Sequence, residues 1–86
     1  MLVDVMSVRP LPGYRLELTF EDGKCGVFDV SPLLDKGVFK RLTNKAVFDA
    51  VRVENGTVVW PGDLDIAPET LYEECEETCP ARRQSA

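Results

Sequence analysis

The sequence predicts an α+β fold: a small, mostly antiparallel sheet with short helices packed on one face. Three observations carry that reading. Residues 14–20, YRLELTF, alternate apolar and polar side chains with the period of a half-buried strand. Two turn signals, Glu21-Asp22-Gly23 and Asn55-Gly56, each separate apolar-rich runs of strand length. Two proline-led segments, opening at Ser31-Pro32 and at Pro68, change the apolar spacing to that of a helix. The 86 residues make one domain, expected over 1–80 and followed by a frayed tail over 81–86.

The elements follow in order. LVDVMSV, rich in β-branched residues, reads as a first strand ended by RPLPG. In the second, Tyr14, Leu16, Leu18 and Phe20 face a core, while Arg15, Glu17 and Thr19 face water. The EDG turn leads into KCGVFDV, so the second and third strands should form a hairpin. Ser31 is expected as an N-cap, with Pro32 at the first helical position, where its missing N–H costs nothing. PLLDKGVFKRL then forms a short helix broken at Gly37, and NKAVFDA adds one or two turns capped by Thr43 or Asn44.

VRVENGTVVW is a hairpin, because Asn55-Gly56 suits a type I′ turn in which both residues need positive φ. The two-residue loop sets Glu54 opposite Thr57 and Val53 opposite Val58. Val51, Val53, Val58 and Trp60 therefore share the core face, leaving Arg52, Glu54, Thr57 and Val59 on the other. Pro61 cannot donate to a ladder and stops the strand; LDI gives a further short extended segment. PETLYEECEETC reads as a final helix, with Leu71, Cys75 and Cys79 on one face and Pro80 ending it. Five or six strands result.

The composition excludes several functions. There is no histidine, which removes Ser-His-Asp and Cys-His catalysis and His-bearing zinc sites. No catalytic residue, cofactor or metal ligand is assigned. The net charge of −5, with basic residues scattered, disfavours direct nucleic-acid binding and suits a basic protein partner. No apolar run approaches the roughly 18 residues of a membrane helix, and MLVDVMSV has no basic n-region, so a cytoplasmic protein is expected. Three cysteines do not close a disulfide framework and are expected as reduced thiols, with Cys75 and Cys79 buried beside Leu71.

Residues 60–75 gather the candidate contact residues. Trp60, Pro61 and Tyr72 form an aromatic edge at a sheet–helix junction, and Asp63, Asp65 and Glu69 add carboxylates to it. The plainer reading makes Trp60 a core residue and gives Asp65 or Glu69 the free N–H groups at the helix start. Neither an EF-hand loop nor a phosphate-binding motif is present.

The order of these signals resembles a bacterial family catalogued as domain of unknown function 2442, over about residues 3–73. The resemblance rests on Phe20-Glu21-Asp22-Gly23, Ser31-Pro32-Leu33-Leu34, Gly37-Val38-Phe39, Trp60-Pro61, Asp65-Ile66-Ala67-Pro68-Glu69 and Leu71-Tyr72. It implies a small α+β domain of bacterial origin and carries over no catalytic residue. Some members sit beside another small protein in an arrangement like toxin–antitoxin pairing, and some longer ones carry a DNA-binding-like helical region. Three functional readings follow: a non-enzymatic interaction module, antitoxin-like toward a small basic protein; a DNA-associated regulator acting in complex; and a small enzyme or metal-binding protein using Asp and Cys. Exposed strand edges also favour a homodimer.

Overall fold

A computed structural model of the chain describes residues 3–79. The expected helix stop at Pro80 and the tail over 81–86 lie outside the described residues. Among the described residues seven strands, all paired antiparallel, form two sheets rather than one. The first sheet has the order β1-β2-β3-β7, from β1 (Val5–Leu11), β2 (Arg15–Phe20), β3 (Cys25–Asp29) and β7 (Glu76–Cys79). The second is the meander of β4 (Arg52–Glu54), β5 (Thr57–Trp60) and β6 (Leu64–Ile66). Between them run 3₁₀ turns at Ser31–Leu33 and Gly37–Thr43 and helix α1 (Lys45–Phe48); α2 (Pro68–Glu74) precedes β7.

The alternation in β2 buries Leu16, Leu18 and Phe20, as its period requires. The β2–β3 turn is a type I turn closed by a left-handed glycine: the Gly23 N–H donates to Phe20 O, and Gly23 has φ 92°. In the β4–β5 hairpin Asn55 and Gly56 have φ 53° and 78°, and the register pairs Glu54 with Thr57 and Val53 with Val58. Thr57, expected on the wet face, is instead buried. Its hydroxyl donates to the carbonyl of Ile66, so burial leaves no orphaned group.

β1 runs on through Pro10 to Leu11 instead of ending at the proline. It lies at the end of its sheet, where a missing N–H breaks no ladder bond. Gly37 does break the middle segment, and Asn44 caps α1, its Oδ1 accepting from the Ala46 N–H at 3.0 Å. Ser31 is not the cap. Val30 holds the cap position without a side-chain bond, while Asp29 Oδ1 accepts from both the N–H and the Oγ of Ser31, at 2.9 and 2.7 Å.

One core joins both sheets. Trp60 is completely buried, donates Nε1–H to Phe48 O at 3.1 Å, and stacks on the Phe48 ring at 6.3 Å. Tyr14 closes the far side edge-on to Phe48 at 5.2 Å and donates its hydroxyl to Thr43 O. Trp60 is therefore the keystone between α1 and the second sheet.

The largest departure from the sequence reading is the last element. The helix expected through Cys79 stops at Glu74, Cys75 turns extended with ψ 153°, and β7 adds to the free edge of β3. Two physical causes act together. A continued helix would stack Glu69, Glu73 and Glu77 at spacings of four, a like-charge column. The edge of β3, meanwhile, offers unpaired backbone groups, and Gly26 there lets the chain come close.

Candidate functional site

α2 and β7 form a single arm laid across the end of the first sheet. Its root is buried: Leu71 is inaccessible and Cys75 nearly so. A Cβ on Gly26 would collide with Cys75 Sγ and lie 3.1 Å from Glu76 O, so a side chain at position 26 would push against the arm where it pairs with β3. Burial pushes the Cys75 thiol up from its ordinary value, which disfavours the thiolate.

Tyr72 fastens the arm to the β2–β3 turn. Its ring meets Phe20 edge-on at 4.9 Å, and Lys24 Nζ sits 4.0 Å over its centre while donating to Tyr72 O at 2.6 Å. The Tyr72 hydroxyl donates to Asp22 Oδ2. Desolvation acts upward on the Asp22 carboxyl, but the bonds from Tyr72, from the Lys24 N–H and from its own backbone, with the Lys24 charge, outweigh it and hold Asp22 below its ordinary value. The same bond from Asp22 comes first in raising the Tyr72 hydroxyl, followed by desolvation and the Asp22 charge.

The outward side of the arm is acidic. Glu69, Glu73, Glu74, Glu76 and Glu77 are all exposed, and all four residues of β7 are exposed. The ion pairs of the described residues are Arg9–Glu17, Lys45–Asp49 and Arg52–Glu54, so none of these five carboxylates is neutralised within them. The second edge of β7 pairs with no strand among the described residues. Among the described residues, the arm thus presents unpaired backbone beside unpaired negative charge.

A second surface lies on the other side of the core. An open groove of about 450 Å³ is lined by Lys40, Arg41, Thr43, Asn44, Val47, Pro61 and Gly62. The β5–β6 turn makes its floor: Gly62 has φ 91° and Asp63 φ 65°, a pair of left-handed residues that asparagine, aspartate and glycine tolerate best. The Arg41 guanidinium occupies the space a Cβ on Gly62 would fill, and neither Lys40 nor Arg41 has a carboxylate partner among the described residues.

The residues singled out from the sequence scatter over these features. Trp60 is core and cannot offer a contact surface. Pro61 lines the basic groove. Asp63 and Asp65 are exposed on the β5–β6 turn and on β6, and neither caps α2, whose N-cap is Ala67 without a side-chain bond. Glu69 is exposed in the first turn of α2, where the helix dipole favours an acid. Tyr72 is half-buried and committed to Asp22. Cys79 is exposed rather than packed beside Leu71, because it ends a strand and not a helix. The groove escaped the sequence reading; its only trace was the adjacent pair Lys40-Arg41, and nothing local brings the Pro61-Gly62 turn against it.

Among the described residues no three of His, Cys, Asp and Glu converge as a metal site. No helix among them is long and apolar enough to cross a membrane. Searches of curated proteins and of solved structures find no match to the chain. The sequence profile described as "Protein of unknown function (DUF2442)" matches residues 5–77, spanning both sheets and all but the end of the acidic arm, and the chain belongs to that family.

Proposed function

We propose that the chain is a non-enzymatic interaction module that takes a basic segment of a small protein partner along the α2–β7 arm, in the manner of an antitoxin and its partner. The observation that carries this reading is the exposed β7 edge flanked by five exposed glutamates that no cation among the described residues neutralises. Strand addition to an open edge supplies main-chain hydrogen bonds, and the carboxylates select a partner bearing Lys and Arg. Like charges placed opposite each other oppose self-pairing through the same edge.

Capture of tagged protein from its own host at native expression tests the reading. A small basic protein in stoichiometric amount is expected, released by salt and lost when Glu73, Glu74, Glu76 and Glu77 are all changed to Lys. A partner indifferent to that change, or no partner, overturns it.

A second reading, a DNA-associated regulator acting in complex, draws on the groove at Lys40 and Arg41. It predicts salt-sensitive retardation of promoter DNA that Lys40→Ala with Arg41→Ala abolishes. Retardation unchanged by that pair of substitutions counts against it.

A further inference from the structure

Two of the three thiols stand opposite each other. Cys25, in β3, and Cys79, in β7, are register partners in the antiparallel ladder, and both are free. They are the outermost pair of that ladder, with a register shift between Cys25 and Gly26 just inside it. Directly opposed antiparallel residues have Cα atoms about 4.5–5.5 Å apart, within the roughly 4.4–6.8 Å that a disulfide spans. The neighbouring Cys79 side chain is the foremost influence raising the Cys25 thiol from its ordinary value; desolvation and the Cys79 charge act the same way, Glu17 adds to them, and Thr19 opposes.

Exposure gives the pair a direction. Cys79 is open to solvent, Cys25 is half-buried behind it, and Cys75 is buried against Gly26 on the inner side of the arm. An oxidant from solution meets Cys79 first and Cys75 last.

We propose that Cys25 and Cys79 form a redox-active pair that closes into a disulfide when a hydroperoxide reaches Cys79, locking β7 onto the first sheet. In the first step the Cys79 sulfur, its proton given up to solvent, attacks one peroxide oxygen. The S–O bond forms, the O–O bond breaks, and the departing oxygen leaves as water after protonation. In the second step the Cys25 sulfur attacks the sulfenic sulfur of Cys79: the S–S bond forms, the S–O bond breaks, and a second water departs. The two thiols lose two electrons and two protons, and hydrogen peroxide is reduced to two waters. In a reducing compartment thiol exchange reopens the bond, so closure is transient there.

The closed loop runs from Cys25 to Cys79 and contains both helices and the whole second sheet. Loop closure on that scale restricts the unfolded chain far more than the folded one.

The test uses the full folded chain, treated with hydrogen peroxide and then alkylated after unfolding. The expected mass reads the loss of two hydrogens with a single alkylated thiol, and proteolysis without reductant yields the Cys25–Cys79 peptide. The oxidised chain should melt at least about 10 °C above the reduced one. Cys79→Ser, at an exposed position that folding does not need, should abolish the mass loss and the melting shift together. A disulfide that includes Cys75, linkage only between two chains, or oxygen addition at Cys79 without closure overturns the proposal. So does an oxidised chain that melts no higher than the reduced one.

Discussion

Two strands of the first sheet, the interior β2 and the edge strand β7, use the same ladder and differ in what lies behind it. β2 pairs on both sides and sends Leu16, Leu18 and Phe20 into the core. β7 pairs on one side through an interrupted register and buries nothing; the residues that hold it, Leu71, Tyr72 and Cys75, come before it in the chain. Backbone hydrogen bonding alone therefore does not separate the rigid strand from the available one. Burial does, because a ladder bond contributes only about 1 kcal/mol net, whereas a core leucine lost to alanine costs about 2–5 kcal/mol.

The largest effect that sharpens this contrast is Leu18→Ala. It should destabilise the whole domain by about 2–5 kcal/mol, read as a drop in the urea midpoint with an unchanged slope. Gly26→Ala comes next, at about 1–3 kcal/mol, because the new methyl meets Cys75 and the Glu76 carbonyl. Its signature is local: amides of 76–79 should lose exchange protection while those of β2 keep theirs. Equal loss in both strands would break the comparison, since the arm would then belong to the core's cooperative unit.

Acid supplies a smaller effect with a definite sign. Asp22 is held below its ordinary pKa by the bonds already described, and Asp29 likewise, first by the Ser31 hydroxyl and then by the Ser31 N–H and the Arg15 charge, against desolvation. A carboxyl whose folded pKa is depressed stabilises the fold above its unfolded value, near pH 4, and that contribution disappears as pH falls through the folded value. Asp22→Asn should therefore flatten part of the acid limb of a stability–pH curve. Exchange protection, corrected for the intrinsic rate at each pH, should fall at 76–79 on acidification before it falls at 15–20, since Asp22 holds Tyr72 and Tyr72 holds the arm.

The smallest effect is on the outer surface. Glu76→Lys should change stability by less than about 0.5 kcal/mol, while altering the salt dependence of any partner captured at β7. A large stability change there would mean that the carboxylate is structurally engaged.

What could be read in the sequence divides along the same line. β2, the Asp22-Gly23 turn and the Asn55-Gly56 hairpin were legible because period and turn chemistry are local. Thr57 was misplaced because the Ile66 carbonyl that satisfies it comes from β6, nine residues later. The end of α2 was missed for a similar reason. Leu71, Cys75 and Cys79 fit a helical face, and only the open edge of β3, some fifty residues earlier in the chain, favours a strand at 76–79. Of the contact residues, Glu69 lies on the acidic arm and Tyr72 at its root. Trp60 carries an aromatic signature that serves cores and interfaces alike, and it went to the core.

Pro10 has one more consequence. It lies in β1 at the opposite end of the first sheet, lacks an N–H to offer, and shares that side with Val5, whose N–H is already given to Gly56 O. Growth of the sheet is thereby disfavoured at both of these positions on the β1 side, while β7 stays open among the described residues. A building block with one usable edge has a valence of one: a chain that adds there ends the assembly in the act of joining it. If a partner strand adds at β7 as proposed, Pro10 and the engaged Val5 give an endless ribbon of copies no matching edge on the β1 side to grow from.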